Sequence, residues 1–495
     1  MVISEVSSQG AIPSEKKPEE EYDVAYHYLR QRKGAEEPEH SVASITRKID
    51  WNIMPLLCLI YFLQFLDKTL LNYAAVMGIK DNLKDNQFSN LGTIFYASYI
   101  FAEPFISYVL QRFPLSRALG ICIFLWGAVL ACHSACNSYA SLMIVRTLLG
   151  AFESSSAVGI ISISGMYYSK SEQASRMGIW CNMSGMGTIV GALLSFGFQH
   201  IRTDSFQSWQ ILFLVMGLVT AFFGVFVFFY LPNNVTSAWF LNDTEKICII
   251  EHIRSNQTGI ENKTFKREQL QELLFKDQFT WPLLLLTGTS QIVTGAVGTF
   301  STTIISTFGY DNYRSALLQI PSGVIIIVII TTVTQLVSHF GHITYIMTSM
   351  FIPSIVGAIV LLCTDLTTQN LGNLFSIYLL YSGSSAITLI YIWNSANTAG
   401  YTKRIFRNAL TLIMFCLSSL LGPQMFRASD FPKYTLAKVA ILVTQAISVP
   451  LSLYIGFLSY RENERRDKKL IEKSDEDYEF LDSTDMQNLN FRYSF

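Results

Sequence analysis

The sequence predicts an all-α membrane protein with twelve transmembrane helices in two six-helix halves. Half of the 495 residues are apolar, charged residues make up only 15%, and the apolar residues are collected into twelve long runs. Each run reaches the ~20 residues that a helix needs to cross about 30 Å of hydrocarbon. A soluble domain of this length would instead alternate apolar and polar faces.

The twelve runs fall six and six around a polar middle segment. In chain order, the predicted spans are 51–75, 90–110, 118–137, 139–166, 176–199, 209–230, 281–307, 315–337, 343–363, 371–396, 405–427 and 434–458. Gly187 and Gly191 stand four residues apart in the fifth span, which predicts a close helix contact.

The segments outside the spans complete the predicted layout. Residues 1–46 are rich in Pro, Glu, Lys and Ser and cannot bury enough apolar surface to fold. Lys and Arg are more frequent on the side of both tails, which predicts that this side is cytosolic. The predicted domains are a disordered cytosolic tail at 1–46, six-helix bundles at 47–230 and 281–460, a cytosolic linker at 231–280 and a cytosolic tail at 461–495.

Several classes of protein do not fit this sequence. A net charge of −1 gives no basis for binding nucleic acid. The eight scattered cysteines and seven histidines show no disulfide or metal-ligand spacing. No phosphate-binding glycine loop of an ATP-driven motor occurs, and no nucleophile–base pair stands out. We therefore expect no enzyme, catalytic residue, cofactor or metal, but a monomeric secondary transporter whose two halves rock around a midplane site.

Five ionisable residues lie within the first six spans: Asp67, Lys68, Glu103, Arg146 and Glu153. A charge at the bilayer centre costs at least ~2.5–3.5 kcal/mol on insertion scales, so such residues are rare unless they have a function. The six spans of the second half carry no mid-span charge. This asymmetry predicts that the first half binds an ion and carries protons, although a structural network that only fixes helix packing is the alternative.

The spacing and number of these charges suggest separate roles. Arg146 and Glu153 are seven residues apart, ~10.5 Å along a helix axis, which is too far for a direct ion pair. If Lys68 and Arg146 each pair with one carboxylate, a third acid remains unpaired in a low-dielectric setting that favours its protonated form. We predict proton coupling by Glu153 first, Asp67 next and Glu103 third. Lys68 and the planar fork of Arg146 would bind a carboxylate or sulfonate.

The second half offers neutral polar residues instead. We predict that Gln291, Tyr381 and Asn394 contact the uncharged end of a substrate, although such side chains also serve as hydrogen bonds between helices. Four basic residues at inner helix ends are expected to anchor those ends at the membrane interface. These are Arg176, Lys403, Arg404 and Arg407.

Short motifs over residues 47–460 follow an order that is specific as a set. They are Lys48-Ile-Asp50, Asp67-Lys-Thr-Leu-Leu-Asn-Tyr-Ala74, Gln111-Arg-Phe-Pro114, Phe124-Leu-Trp-Gly127, Arg146-Thr-Leu-Leu-Gly-Ala-Phe-Glu153, Met166-Tyr-Tyr168, Arg176-Met-Gly-Ile-Trp180 and Asn397-Thr-Ala-Gly-Tyr-Thr-Lys-Arg404. With them the chain resembles the major facilitator superfamily and, within it, the fungal allantoate-permease branch of the anion:cation symporters. The loop at 111–114 lacks the usual Gly-x-x-x-Asp start, and its counterpart at 338–343 lacks Lys and Arg.

The resemblance implies the major facilitator fold and a function. Related symporters use the equivalent span-one and span-four residues for substrate and proton. The implied function is proton-coupled import of a small organic anion, such as a ureide, a vitamin or its precursor, an amino-acid-like sulfur compound or a sulfonate. The expected partners are this anion, protons and the lipid bilayer, in the plasma membrane or alternatively an endomembrane. An uncoupled facilitator or exchanger and a nutrient-sensing receptor on a transporter scaffold are the rival functions.

Overall fold

The chain is built from helices, and no β-strand occurs in the part of the chain that the structure describes. The computed structural model describes residues 41–75, 77–79, 83, 87–201, 206–254, 265–307, 312–364, 370–425, 434–470, 483–488 and 490–495. The predicted disordered tail lies outside these ranges except for residues 41–46. Of these, Val42 to Thr46 are helical: the first helix extends towards the N-terminus beyond the predicted span, where Ile45 and Ile49 are buried.

The helices of the first half and the middle segment follow the predicted spans closely. They are α1 Val42–Ala74, α2 Gln87–Arg112, α3 Leu115–Cys132, α4 Tyr139–Glu153, α5 Ser155–Tyr167, α6 Lys170–Cys181, α7 Met183–Phe198, α8 Ser208–Tyr230, α9 Asp243–Arg254 and α10 Arg267–Phe275.

The second half contains the remaining helices. They are α11 Thr280–Thr307, α12 Asn312–Leu317, α13 Ile320–Phe340, α14 Ile343–Cys363, α15 Asn370–Ser384, α16 Ala386–Asn397, α17 Tyr401–Gln424 and α18 Thr435–Leu470. Helix α18 continues past the predicted span end at 458 into the polar tail.

Eleven segments of the described chain are long and apolar enough to cross a membrane. The predicted seventh span is not among them, although α11 is a continuous helix of 28 residues there. At 33 residues, α1 extends roughly 50 Å, so it is longer than the hydrocarbon core is thick.

Ser154 and Ser385 occupy corresponding positions in the two halves. Ser154 lies between α4 and α5 in the fourth span, Ser385 lies between α15 and α16 in the tenth span, and both residues keep right-handed helical backbone angles. Each span therefore continues as one membrane-crossing segment, Tyr139–Tyr167 and Leu371–Asn397.

The two halves touch along α7 and α13, where Gly185 faces Gly323. A Cβ on Gly185 would lie 2.5 Å from the Gly323 carbonyl oxygen, and a Cβ on Gly323 would lie 2.6 Å from that of Gly185. The predicted close contact at Gly187 and Gly191 is also confirmed, because a Cβ on Gly191 would meet the Tyr73 ring at 2.7 Å. Small residues thus let helix backbones approach each other closely, as is usual within membranes.

One end of the bundle is closed by contacts between the halves. We call it the inner end; it carries α9 and α10, and the charge bias predicts that it faces the cytosol. Gln111 donates a hydrogen bond to Thr402 Oγ1 over 2.8 Å, and Ser395 donates one to the Gln173 amide oxygen. All four side chains are buried, so the halves are sealed together here.

Candidate substrate and proton site

A central cavity lies between the two halves, towards the end opposite the inner end. It has two lobes of about 760 and 770 Å³ of empty space, including space open to solvent. Both lobes share a lining from α1, α11 and α17. The shared residues are Phe65, Thr69, Asn72, Thr294, Gly298 and Phe415.

One lobe, which we call the charged lobe, is lined by Lys68 and Arg146. The Lys68 ammonium lies 5.3 Å from the ring centre of Phe65, 5.6 Å from that of Tyr99 and 5.5 Å from that of Phe415. Aromatic faces attract a cation, and the attraction reaches about 2 kcal/mol when the cation is desolvated. The rings therefore hold Lys68 at the cavity wall, where its side chain remains 12% exposed.

Glu153 is the carboxylate that pairs with Lys68. Its Oε1 lies 3.5 Å from Lys68 Nζ, and its side chain is fully buried. Neither of its oxygens has a hydrogen-bond partner among the described residues. Glu153 is the last residue of α4, directly before Ser154, and its side chain does not line the charged lobe. Lys68 thus separates Glu153 from the cavity.

Arg146 and Asp67 form the second part of the charged group. The Arg146 guanidinium carbon lies 5.5 Å from the ring centre of Phe213, and Arg146 Nη2 has no hydrogen-bond partner among the described residues. Asp67 interacts electrostatically with Arg146 and Glu153 and lies beside Trp126, but both of its oxygens also lack a hydrogen bond within the described chain. Among these described residues, Glu153 pairs with Lys68 and not with Arg146.

Glu103 is the third buried acid, and it lies on α2 next to Pro104, which falls inside the helix. Its side chain is fully buried, and neither oxygen is hydrogen-bonded in the described part of the chain. Lys68 acts on it electrostatically, and Ser107 lies one helical turn further along. Lys68 therefore has two carboxylates around it, Glu153 in contact and Glu103 farther away.

The other lobe, which we call the neutral lobe, is lined mainly by the second half. Gln291 and Tyr381, two of the predicted substrate contacts, both face it. Thr294 donates a hydrogen bond to Gln291 Oε1 over 2.7 Å and lies 2.7 Å from Ser384 Oγ. These amide and hydroxyl groups can donate to or accept from the uncharged part of a ligand.

Asn394 lies away from both lobes, contrary to its prediction as a substrate contact. It is fully buried, and its amide donates a hydrogen bond to Thr411 Oγ1 over 2.9 Å, which joins α16 to α17. Tyr381 and Asn394 are 13 residues apart, which on an ideal helix places them about 220° apart around the axis. The two residues therefore could not share one cavity face.

Several cavity residues were not in the predicted set. On α1, the side chains of Phe65, Lys68, Thr69 and Asn72 follow the 3–4-residue spacing of one helix face. The same spacing relates Tyr381 to three further cavity residues of the tenth span, Ser384, Ser385 and Thr388. Extending the helix face from Lys68 or Tyr381 would have identified them from the sequence.

The predicted interface anchors on α17 are instead parts of a buried ionic network at the inner end. Lys403 is fully buried and pairs with Glu272 at 2.9 Å, Asp277 at 3.0 Å and Asp485 at 2.8 Å. Arg407 also pairs with Asp277. Three carboxylates from distant parts of the chain compensate these charges, so the anchor prediction for Lys403 and Arg407 is wrong.

The fold, its two-halved architecture and the cavity between the halves define a secondary transporter rather than an enzyme. The chain belongs to the Major Facilitator Superfamily, whose sequence model matches residues 57–423. Its relatives place it with the fungal allantoate-permease-like branch, which confirms the resemblance in the motifs. It is therefore a multi-pass membrane protein.

Two curated relatives and one solved structure illustrate this membership. The chain is 61% identical to the thiamine pathway transporter THI73 of Saccharomyces cerevisiae, over 91% of this chain and 86% of the relative. It is 32% identical to the allantoate permease of the same yeast, over 90% and 85% of the two chains. The proton:xylose symporter XylE matches with a TM-score of 0.64 over 84% of this chain and 96% of XylE. At 13% identity, this last likeness concerns the fold alone.

Proposed function

We propose that this chain imports a small organic anion together with protons by exposing the central cavity alternately to the two sides of the membrane. The Lys68–Glu153 pair carries the proposal. Its cation borders the cavity, whereas its anion is fully buried and makes no second ion pair within 4 Å among the described residues, with Arg146 acting on it from farther away. A substrate anion can therefore bind Lys68 in place of Glu153, and a proton can then neutralise Glu153.

The pair provides a simple coupling scheme. When a substrate anion binds Lys68, the attraction between Lys68 and Glu153 weakens. A buried carboxylate without a counter-charge is more stable in its protonated form, so substrate binding favours proton uptake by Glu153. Release of the substrate restores the ion pair and favours release of the proton. Asp67 and Glu103 are the further proton carriers of the proposal, since they share the cations of this group.

The two lobes support a substrate with two chemically different ends. Arg146 and Lys68 would bind a carboxylate or sulfonate, and charge-assisted hydrogen bonds of this kind are roughly twice as strong as neutral ones. Gln291, Thr294 and Tyr381 would bind a polar, uncharged end. A ureide, a vitamin precursor or a sulfur compound with a carboxylate or sulfonate fits this description.

The names of the relatives narrow the choice of substrates to test. One relative is named for the thiamine pathway and another for allantoate. Thiamine itself is a cation, and the charged lobe presents two cationic side chains to its ligand. We therefore propose an anionic compound related to one of these pathways rather than thiamine.

The direction and location of transport complete the proposal. Both tails and the 231–280 linker face the cytosol, the chain acts as a monomer, and import takes place at the plasma membrane. The alternative home is the endoplasmic reticulum or another endomembrane. Fluorescent tagging of the full chain at either terminus, together with protease protection, separates these possibilities.

The decisive experiment measures uptake in cells that express this chain against matched cells that do not. A panel of labelled carboxylates and sulfonates, with thiamine included, is tested at acidic and neutral external pH and with or without a protonophore. We expect uphill accumulation of an anion that increases in acid and collapses with the protonophore. Accumulation that the protonophore does not change would establish an uncoupled facilitator or exchanger, and uptake of thiamine instead of anions would refute the substrate class.

A further inference from the structure

The end of the chain, residues 483–488 and 490–495, folds back onto the inner end of the bundle; we call this segment the C-terminal clasp. It lies far from the central cavity and has no part in the coupling scheme. Thr484 and Asp485 are fully buried, and Asn488, Phe491 and Tyr493 are nearly so. A polar tail that buries so many of its side chains occupies a specific site.

The centre of this site is an ion pair between Asp485 and Lys403 of α17. Asp485 Oδ1 lies 2.8 Å from Lys403 Nζ, and both side chains are completely buried. The Tyr493 hydroxyl donates to Asp485 Oδ2 over 2.7 Å, and the Ala399 N–H donates to Oδ1 over 3.3 Å. Burial alone would raise the pKa of Asp485, but the charges of Lys403 and Arg407 hold it below its ordinary value. The carboxylate is thus charged and saturated with partners.

Backbone pairing adds a second point of attachment. Asn397, the last residue of α16, donates to the Ser494 carbonyl over 2.9 Å and accepts from its N–H over 2.6 Å. Asn463 of α18 makes the same two-way contact with Tyr493, over 2.8 and 2.9 Å. The side chains of the two asparagines thus hydrogen-bond to backbone N–H and C=O groups of the clasp, in the way that a neighbouring β-strand would.

A cation and aromatic rings complete the site. Arg466 donates to the Phe491 carbonyl over 2.9 Å and to the Tyr493 hydroxyl over 3.0 Å, and its guanidinium carbon lies 4.6 Å from the Tyr493 ring centre. The Tyr493 ring packs against Phe279 at 4.7 Å between centres. The tyrosine therefore lies between a helix of the bundle and the segment that precedes α11.

The residues that hold the clasp stand next to the residues that close the inner end. Lys403 directly follows Thr402, which accepts the hydrogen bond from Gln111 of the first half. Asn397 lies two residues after Ser395, which bonds to Gln173 of the first half. The clasp therefore fixes the ends of α16 and α17 in the position in which they seal the two halves together.

We infer that the inner ends of α16, α17 and α18 form a peptide-binding site whose ligand is the chain's own C-terminal clasp, and that its occupancy stabilises the inward-closed state. The ligand class is a turn-containing peptide with a carboxylate and, eight residues later, an aromatic side chain, matched to Lys403 and Arg466. Because the ligand is tethered to its site, a modest intrinsic affinity is enough to keep the site filled. The inference rests on alternating access, which is part of the proposed function, but not on the substrate or on protons.

The test measures how readily the inner end opens. The eight native cysteines are replaced by serine. Ala396, the buried neighbour of Ser395 at the seal, is replaced by cysteine as a reporter, and an impermeant maleimide is applied to inside-out vesicles. Asp485→Asn and deletion of 483–495 are compared with Met486→Ala, a control in the same segment whose side chain is exposed. Tyr493→Phe removes a single hydroxyl group, which contacts both Asp485 and Arg466, and keeps the aromatic ring. It therefore tests the site with little risk to folding.

We expect labelling to increase about fivefold or more for Asp485→Asn and for the deletion, since coupling between two sites usually changes an equilibrium by at least this factor. The increase should be smaller for Tyr493→Phe. A synthetic peptide of residues 483–495 added to the deletion variant should restore protection, whereas the same peptide with Asp485→Asn should not. Labelling equal to that of Met486→Ala in all three variants would overturn the inference. Labelling requires no transport, so this result is independent of whether protons or anions are moved.

Discussion

Lys68 Nζ lies 3.5 Å from Glu153 Oε1, and the cavity reaches the lysine but not the glutamate. This arrangement makes the lysine the shared partner of a buried acid and of any anion that enters. The arrangement assigns different roles to the five charged residues of the first half, which their number alone did not distinguish.

Replacement of Glu153 by Gln should abolish uphill uptake while preserving exchange of labelled for unlabelled substrate. The amide has the shape of the protonated acid and cannot release a proton, so substrate can still bind and cross but is no longer driven. Counterflow in vesicles, compared with accumulation under an imposed proton gradient, measures the two separately.

The matched control for this change is Glu268→Gln, at an exposed position of α10. It should leave both activities unaltered. Accumulation by the Glu153→Gln protein that still follows the pH gradient would assign the proton to another acid, with Asp67 the next to test by Asp67→Asn.

Replacement of Arg146 by Gln should raise the apparent KM for the substrate anion by roughly 10- to 100-fold, since a hydrogen bond to a charged group contributes about 1.5–3 kcal/mol. The maximal rate should change less, provided the protein still folds. Initial rates over a wide range of substrate concentration separate KM from the maximal rate. Arg465→Gln in the exposed part of α18, where the side chain is 65% accessible, is the comparison that should leave KM unchanged. An ordinary KM for Arg146→Gln would leave Lys68 as the anion-binding residue.

Replacement of Gln291 by Ala should raise the substrate KM, whereas Asn394→Ala should not. Gln291 lines the neutral lobe, and Asn394 bonds to Thr411 behind the cavity wall. Loss of the latter bond should instead lower thermal stability, by about 1 kcal/mol. Uptake kinetics and thermal unfolding in detergent are measured on both variants. Gln291→Ala should change the KM, whereas Asn394→Ala should change the thermal stability. If Asn394→Ala shifted KM more than Gln291→Ala did, the neutral lobe would not be the binding surface.

Apolar runs were sufficient to predict most helices, because a segment that is apolar on all sides has few other stable environments than the membrane. They did not predict that the first helix begins at Val42, because the buried Ile45 and Ile49 stand in a polar stretch of the sequence. The sequence also could not predict that Lys403 is buried. Its partner Asp485 lies far along the chain, and only the folded structure brings the two together.

Replacement of Gly185 by Ala should slow transport more than it weakens substrate binding. The added Cβ would lie 2.5 Å from the Gly323 carbonyl oxygen, so α7 and α13 must move apart at the contact between the halves. A changed contact alters the relative energies of the inward- and outward-closed states, and therefore the turnover rate. Gly323→Ala should have the same effect, because the contact is reciprocal.

Gly372→Ala is the matched control for this pair, since nothing lies within 4 Å of a Cβ at Gly372 in α15. Alanine there should stabilise the helix by roughly 0.5–1 kcal/mol and leave turnover unchanged. The comparison combines the maximal uptake rate with equilibrium substrate binding to purified protein. Unchanged turnover in both Gly185→Ala and Gly323→Ala, with normal expression, would show that the halves do not move against each other along α7 and α13.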